Sequence, residues 1–298
     1  MRRKLLPVVA GAMLVSLSAP RGWAAPAPRA SRGGRIEVVA AFYPLAEAAQ
    51  RVGGRNVVVH NLTPPGAEPH DLELTTDQLD QIESAGLVVV MGHGFQPAVE
   101  KAARDHASAT VFVLDRLRGE LTPGDPHVWL DPARMRDIVD VVQAALTKVA
   151  PRHATGFARN AAAFDEQLSR LDVDFGVGLA RCQRRLVVTA HEAFGYLAAA
   201  YGLRQRGIAG ISPDAEPDPK RLAELADLVE KQGVTTIFTE ELVSPKIADT
   251  LAREAGGLKT EVLSPLEGLT DEQRARGSDY VSVMRDNLEK LRGALACS

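Results

Sequence analysis

Between Phe157 and Leu179 the apolar residues Phe157, Ala161, Phe164, Leu168, Leu171, Phe175 and Leu179 fall at spacings of 4, 3, 4, 3, 4 and 4. That period puts them on one stripe of a single helix of roughly seven turns, about 40 Å long at 1.5 Å per residue. No strand interrupts it. It reads as a rigid strut, and what lies on either side decides the architecture.

Both sides carry the same kind of pattern. Ahead of the strut, short β-rich runs at Ile36–Ala41, Asn56–Leu62, Leu87–Met91 and Thr110–Leu114 alternate with helical runs at Pro44–Val52, Thr76–Ser84 and Pro97–His106. Behind it, strands are expected at Arg185–Ala190, Arg206–Ile211, Val234–Thr239 and Lys259–Leu263. Helices are expected there at His191–Tyr201, Pro219–Lys231, Pro245–Ala255 and Tyr280–Ala296. Strands alternating with helices force crossover connections, hence parallel sheets flanked by helices. The expected fold class is α/β: two lobes, each a four-stranded, mainly parallel sheet, joined by one long linker helix. The expected boundaries are 36–150 for the first lobe, 151–181 for the linker and 182–298 for the second lobe. The halves share an order of elements but no residue-level repeat.

The N-terminus has a basic start (Arg2, Arg3, Lys4), a mostly apolar run from Leu5 to Ala19, and a small-x-small site at Gly22-Trp23-Ala24. This predicts a secretory signal peptide over 1–24, too short for a membrane anchor, followed by a flexible segment over 25–35. Arg2-Arg3 also resembles a twin-arginine signal, with general secretion preferred. No cysteine follows the apolar run, so the expected product is a soluble periplasmic chain and not a lipoprotein. Cleavage after Ala24 removes four basic residues and no acidic ones, taking the formal charge from −3 to −7. An acidic chain of this kind argues against nucleic acid as a partner. Cys182 and Cys297 are the two cysteines; an oxidising compartment permits them to pair, stapling the second lobe to the last helix, and two separate thiols are equally compatible with the sequence.

The stiffest local feature is Asp125-Pro126-His127-Val128-Trp129-Leu130-Asp131-Pro132. Each proline fixes its own φ and biases the preceding residue away from helix. Asp131 reads as an N-cap with Pro132 at the first helical position. His127 is thereby held on a rigid turn, the loop after the fourth strand. Of the seven histidines, His93 and two stronger candidates also fall at strand ends: His70 after the second strand, in Pro65-Gly66-Ala67-Glu68-Pro69-His70, and His191 after the first strand of the second half. In parallel α/β sheets, binding groups gather past the carboxyl ends of strands. A cleft between the lobes would bring the three together, although each alone reads as packing or surface. His106 and His153 lie on polar helical ground, His60 lies inside a strand, and His93, in Gly92-His93-Gly94, is a secondary candidate for lining the cleft.

These stretches, with Thr189-Ala190-His191-Glu192-Ala193-Phe194-Gly195-Tyr196 and Ile237-Phe238-Thr239-Glu240-Glu241, occur in the order seen in one family. From about Ile36 to Leu295 the chain resembles the periplasmic metal-binding proteins of ABC transporters that import zinc or manganese. The resemblance implies a metal in the inter-lobe cleft and delivery to a membrane permease driven by an ATPase. Matched residue by residue, it implies metal ligands at His70, His127 and His191. Histidine at the third position fits the zinc group, and imidazole suits Zn²⁺ where manganese favours oxygen. The family's fourth ligand is an Asp in a Gly-Asp-x-Tyr stretch; here Gly277-Ser278-Asp279-Tyr280 displaces it by one residue. Asp279 is the choice carried forward, with Glu241, Glu68 or water as substitutes and a helix cap as its other meaning. The family's His- and Asp-rich loop is absent, since Asp115 to Gly124 contains no histidine. Glu240-Glu241 reads either as partners orienting a ligand histidine or as solvated loop.

The expected function is high-affinity capture of Zn²⁺ by a monomeric carrier with no catalytic residues. The ion is cargo, and a periplasmic metal chaperone is a further candidate partner. A manganese carrier is the alternative. A secreted zinc hydrolase is weakened because His191-Glu192 lacks the second histidine a metalloprotease helix would carry, residue 195 being Gly. A metal-stabilised adhesin is weakened by the missing lipid-attachment cysteine.

Overall fold

The computed structural model describes residues 34–213 and 219–298. The expected signal segment and most of the segment 25–35 lie outside the described residues. The first lobe runs β1 (Ile36–Ala40), α1 (Tyr43–Gly53), β2 (Val57–Asn61), α2 (Thr76–Ser84), β3 (Leu87–Val90), α3 (Pro97–His106) and β4 (Thr110–Phe112). Two helices follow, α4 (Pro132–Val149) and α5 (Ala154–Gly178). The second lobe runs β5 (Leu186–Thr189), α6 (Gly195–Ala200), β6 (Arg204–Gly207), α7 (Pro219–Lys231), β7 (Thr236–Thr239), α8 (Lys246–Glu254) and β8 (Lys259–Val262). It closes with α9 (Asp271–Ala275) and α10 (Tyr280–Leu295).

Each lobe holds one four-stranded sheet, ordered β2-β1-β3-β4 in the first and β6-β5-β7-β8 in the second. Every pairing is parallel. The strand order is therefore the same in both lobes, and each reverses direction once, between β1 and β3 and between β5 and β7. That reversal is where an α/β sheet opens a crevice at its carboxyl edge. The central strands are buried on both faces, as continuous apolar runs such as Leu87–Val90 require.

The strut is α5, with Phe157, Ala161, Phe164, Leu168, Leu171 and Phe175 buried along one stripe. It packs on α1 and α4 at one end and on α10 at the other. The core it covers is shared: one apolar cluster runs from Val38, Val89 and Trp129 through Phe164 to Phe194, Phe238, Leu266 and Tyr280. A smaller cluster, including Val188, Val229, Ile237 and Leu251, sits within the second lobe. Polar contacts also cross between the halves. Trp129 Nε1 donates to the Pro265 carbonyl at 2.8 Å, and Tyr280 Oη donates to the Trp129 carbonyl at 2.6 Å. Cys182 and Cys297 form a disulfide across 115 residues, tying the chain just past α5 to the residue beyond α10.

Three local readings change. The helix expected from His191 starts only at Gly195, because residues 190–194 are held as a loop: Glu192 N donates to Gly210 O, and Ala209 N to Ala190 O. The strand expected at Arg206–Ile211 lies at Arg204–Gly207, where Arg-Gln-Arg-Gly forms a mostly exposed edge strand with no apolar signature. The apolar pair Ile208-Ala209 is the buried turn beyond it. Helix α9 was not anticipated, although Thr270 and Gln273 form a complete capping box.

Candidate metal centre

Three of the anticipated histidines converge, each gripped by a neighbouring carboxylate. Asp125 Oδ1 accepts from the backbone N–H of His127 at 3.0 Å and from its ring Nδ1 at 2.8 Å. Pro126 fixes the turn between them. The buried 3₁₀ turn Val128–Leu130 follows, and Asp131 caps α4 by accepting from Ala133 N at 2.9 Å. In the second lobe Glu240 does the same for His191, accepting from its backbone N–H at 3.1 Å and from ring Nδ1 at 2.7 Å. Thr189 Oγ1 donates to the His191 carbonyl at 2.6 Å and holds the strand end. His70 is set differently: the Glu68 carboxylate accepts from its backbone N–H at 2.9 and 3.0 Å, and its ring packs edge-on against Phe95, 4.6 Å between centroids. A carboxylate on Nδ1 fixes the imidazole tautomer and aims Nε2 away from it. In both His127 and His191 the freed Nε2 faces the other, 3.4 Å apart.

The fourth member of the group is Glu267. Its Oε1 lies 3.1 Å from His70 Nε2 and 3.4 Å from the Nε2 of both His127 and His191. The four ligand atoms all lie within 4.8 Å of one another, and all four residues are buried. A tetrahedral ion with ligands at about 2.05 Å sets its ligand atoms about 3.3 Å apart, close to the contacts made here. Glu267 Oε2 is buried and has no hydrogen-bond partner among the described residues. A buried carboxylate oxygen left without a donor costs on the order of 1–3 kcal/mol, a cost that a cation among the four residues removes.

The electrostatics follow from the crowding. Burial works against the charged carboxylate of Glu267, but hydrogen bonds from His127, His191 and His70 outweigh it and hold the group well below the usual carboxylate range. Burial likewise works against a charged ring on His191, yet Glu240 and Glu267 push it up to about 10. His127 is raised in the same way, burial being outweighed by Asp125 and Glu267. The Glu267 carboxylate thus favours the charged form of His127 and His191 beside it.

Asp279 is not brought to the other three. It caps α10, accepting from Ser282 N at 2.8 Å, and its other oxygen pairs with Arg51 Nη2 at 2.5 Å. Glu241 accepts from Gln273 Nε2 at 3.1 Å, and Glu68 Oε1 stands 3.8 Å from His70 Nε2; neither belongs to the four-residue group. Of the paired glutamates only Glu240 touches a histidine of the group. His60 pairs with Glu37 and His153 accepts from Arg152, both away from the cluster.

Glu267 carried a usable signal. His127 lies past β4, the fourth strand of the first half. Glu267 lies past β8, the fourth strand of the second half, and β4 and β8 hold equivalent edge positions in sheets of equal order. Its setting, Ser264-Pro265-Leu266-Glu267-Gly268, includes Leu266 at a φ of 54°, a left-handed backbone state that no periodicity announces.

Two parallel α/β lobes, with three imidazoles and a carboxylate buried where their strand ends meet, define a cleft-type metal-binding protein. The family model described as ZnuA, zinc-uptake complex component A, periplasmic, matches residues 38–294. The chain belongs to that family. It is 38% identical over 288 residues to the zinc-binding protein AdcA of Streptococcus pyogenes, covering 87% of this chain and 56% of that protein. The chain thus spans just over half the length of these curated relatives. It is 33% identical to the high-affinity zinc uptake system protein ZnuA of Bacillus subtilis, covering 89% of each. Among solved structures, the Zn(II)-bound ZnuA-like domain of Streptococcus pneumoniae AdcA superposes with a TM-score of 0.77 at 38% identity. That match covers 88% of this chain and 99% of the domain.

Proposed function

We propose that the protein captures Zn²⁺ outside the cytoplasm and delivers it to the membrane permease of an ABC importer, with His70, His127, His191 and Glu267 as the four ligands. Asp279 is left to cap α10. The observation that carries the reading is the buried group itself: three Nε2 atoms around one carboxylate oxygen at 3.1–3.4 Å, with the second oxygen unpartnered. Three neutral imidazoles and one carboxylate form a closed four-coordinate zinc set and leave one net positive charge. An N₃O set favours zinc over manganese, which takes more oxygen donors. A closed set offers no open position for a catalytic water, which weighs against a hydrolase. The family and the zinc-binding relatives support zinc uptake. The segment 1–24 as an export signal and the division into lobes 36–150 and 182–298 about the linker 151–181 complete the proposal.

The experiment is metal counting on the mature chain, stripped with chelator and then titrated with Zn²⁺ and Mn²⁺. One tightly held zinc per chain, kept against excess manganese, is expected. His127→Ala and Glu267→Gln should each weaken it by at least the roughly 10- to 100-fold that loss of a mere orienting partner costs. A chain that stays metal-free in the presence of added zinc refutes the reading.

A further inference from the structure

The cleft carries a second histidine–carboxylate pair that the four-residue group does not use. His93 Nε2 lies 3.1 Å from Asp115 Oδ1, and both side chains are about half exposed, at 53% and 56%. His93 follows β3 and Asp115 follows β4, so the pair bridges two adjacent strand ends on the cleft side of the first sheet. A cavity of about 390 Å³ is lined by His93 together with His70 and Asp125 of the deep site, and by Ile211 and Ser212 from the second lobe. One continuous space therefore touches both His93 of the outer pair and His70 of the buried group.

The backbone holding His93 is unusual. Gly92, His93 and Gly94 all have positive φ, at 95°, 58° and 83°. His enters this region more readily than most side chains, but three such residues in a row still need outside support. Glu100, buried in α3, gives it by accepting from Gly94 N at 2.9 Å. The next residue, Phe95, packs against the His70 ring. The same loop thus presents His93 outward and braces a deep-site histidine with its inner end.

Resting on the zinc reading above, we propose that His93 and Asp115 form a capture site for the divalent cation at the cleft mouth. Their 3.1 Å separation matches an edge of a tetrahedral zinc site, about 3.3 Å, so one imidazole and one carboxylate oxygen hold a cation that keeps its remaining waters. Two ligands in a half-exposed setting bind weakly and release quickly. They act on how fast the ion reaches His70 and not on how tightly the deep site holds it.

The test uses the mature chain with Zn²⁺ alone as the probe. Trp129 is the one tryptophan after the expected signal segment, and its ring is 5.0 Å from that of His127, so its fluorescence follows deep-site loading. His93→Asn is the variant of choice because Asn also tolerates the left-handed conformation; Asp115→Asn is its counterpart. Each should slow stopped-flow zinc association by roughly 5- to 10-fold at low salt, within the range charged clefts contribute to on-rates. The equilibrium affinity of the deep site should move by less than about twofold, because a group on the route of the ion slows its entry and its exit by the same factor. In equilibrium dialysis a second, weaker zinc equivalent should be present in the wild type and absent from both variants. Wild-type protein that loads tightly, at a rate and stoichiometry indifferent to both substitutions, overturns the capture site alone. Wild-type protein that takes up no tight zinc overturns the deep-site reading and the capture site with it.

Discussion

Zinc loading should expel protons, in a number the site fixes. Burial disfavours the charged ring of His191, but Glu240 and Glu267 outweigh it and hold its titration near 10 in the metal-free protein. At pH 7.5 that is about 2.5 units below the titration point, so nearly every metal-free chain carries the charged ring. His127 is raised as well, against burial, by Asp125 and Glu267. Zinc needs the Nε2 lone pairs, so the His191 proton must leave and part of a second follows from His127. Glu267 is already ionised and supplies none. We therefore expect between about one and two protons released per zinc, and an apparent affinity that falls about 10- to 100-fold for each pH unit of acidification between about 6.5 and 8.5. Titration calorimetry at pH 7.5 in two buffers of different ionisation enthalpy counts the protons, and chelator competition gives the slope. Stability has the opposite sign in the two states. The raised His191 stabilises the metal-free fold fully below its unfolded value of about 6.5, and that contribution is lost as pH rises through about 10. The zinc-loaded fold weakens as pH falls, so the gap in Tm between the two states should widen from pH 6.5 upward. Zinc uptake that releases no proton at pH 7.5, with an affinity flat from 6.5 to 8.5, would refute the reasoning.

Three further outcomes are expected. Asp125→Asn and Glu240→Gln keep the shapes and one acceptor oxygen but lose the negative charge behind His127 and His191, and should each weaken zinc by roughly 10- to 100-fold in competition titrations while the chain stays folded. Asp279→Ala should cost about 1 kcal/mol in urea unfolding through loss of the α10 cap, with zinc affinity unchanged; a large affinity loss there would restore it as a ligand. Replacing Cys182 and Cys297 by serine opens a loop of 115 residues. Chain entropy then predicts a loss of about 5 kcal/mol and a fall in Tm of roughly 10–20 °C; an unchanged melting curve would show that the staple constrains little in the unfolded chain.

Much of this was legible because local signals agreed with one another. The α5 stripe, the Asp131-Pro132 helix start and the apolar runs of β1 and β3 each follow from spacing and stereochemistry that tertiary structure had no reason to override. His70, His127 and His191 were findable because strand ends in parallel sheets are where side chains converge. Illegible features depended on long-range partners. Arg204–Gly207 is a strand only because β5 lies beside it. Asp279 had the right type and neighbourhood for a ligand, yet its helix needed a cap and Arg51 needed a carboxylate. Glu267 has no local mark; its role exists only once β8 occupies the place in its sheet that β4 has in the other. Gly195 is similar: a side-chain carbon there would come within 2.8 Å of Asp125 Oδ2, so this glycine keeps space for the carboxylate that orients His127.

The order of the ligands along the chain has a consequence for biogenesis. His70 and Glu267 are 197 residues apart, and His127 and His191 fall between them. A polypeptide synthesised from its N-terminus exposes three imidazoles well before the carboxylate that neutralises them. Until Glu267 arrives and Trp129 finds Pro265 and Tyr280, the half-made product lacks the anion and the buried floor of its site. The four-coordinate set thus exists only in the finished fold, and a chain still being made offers a cation at most the three imidazoles.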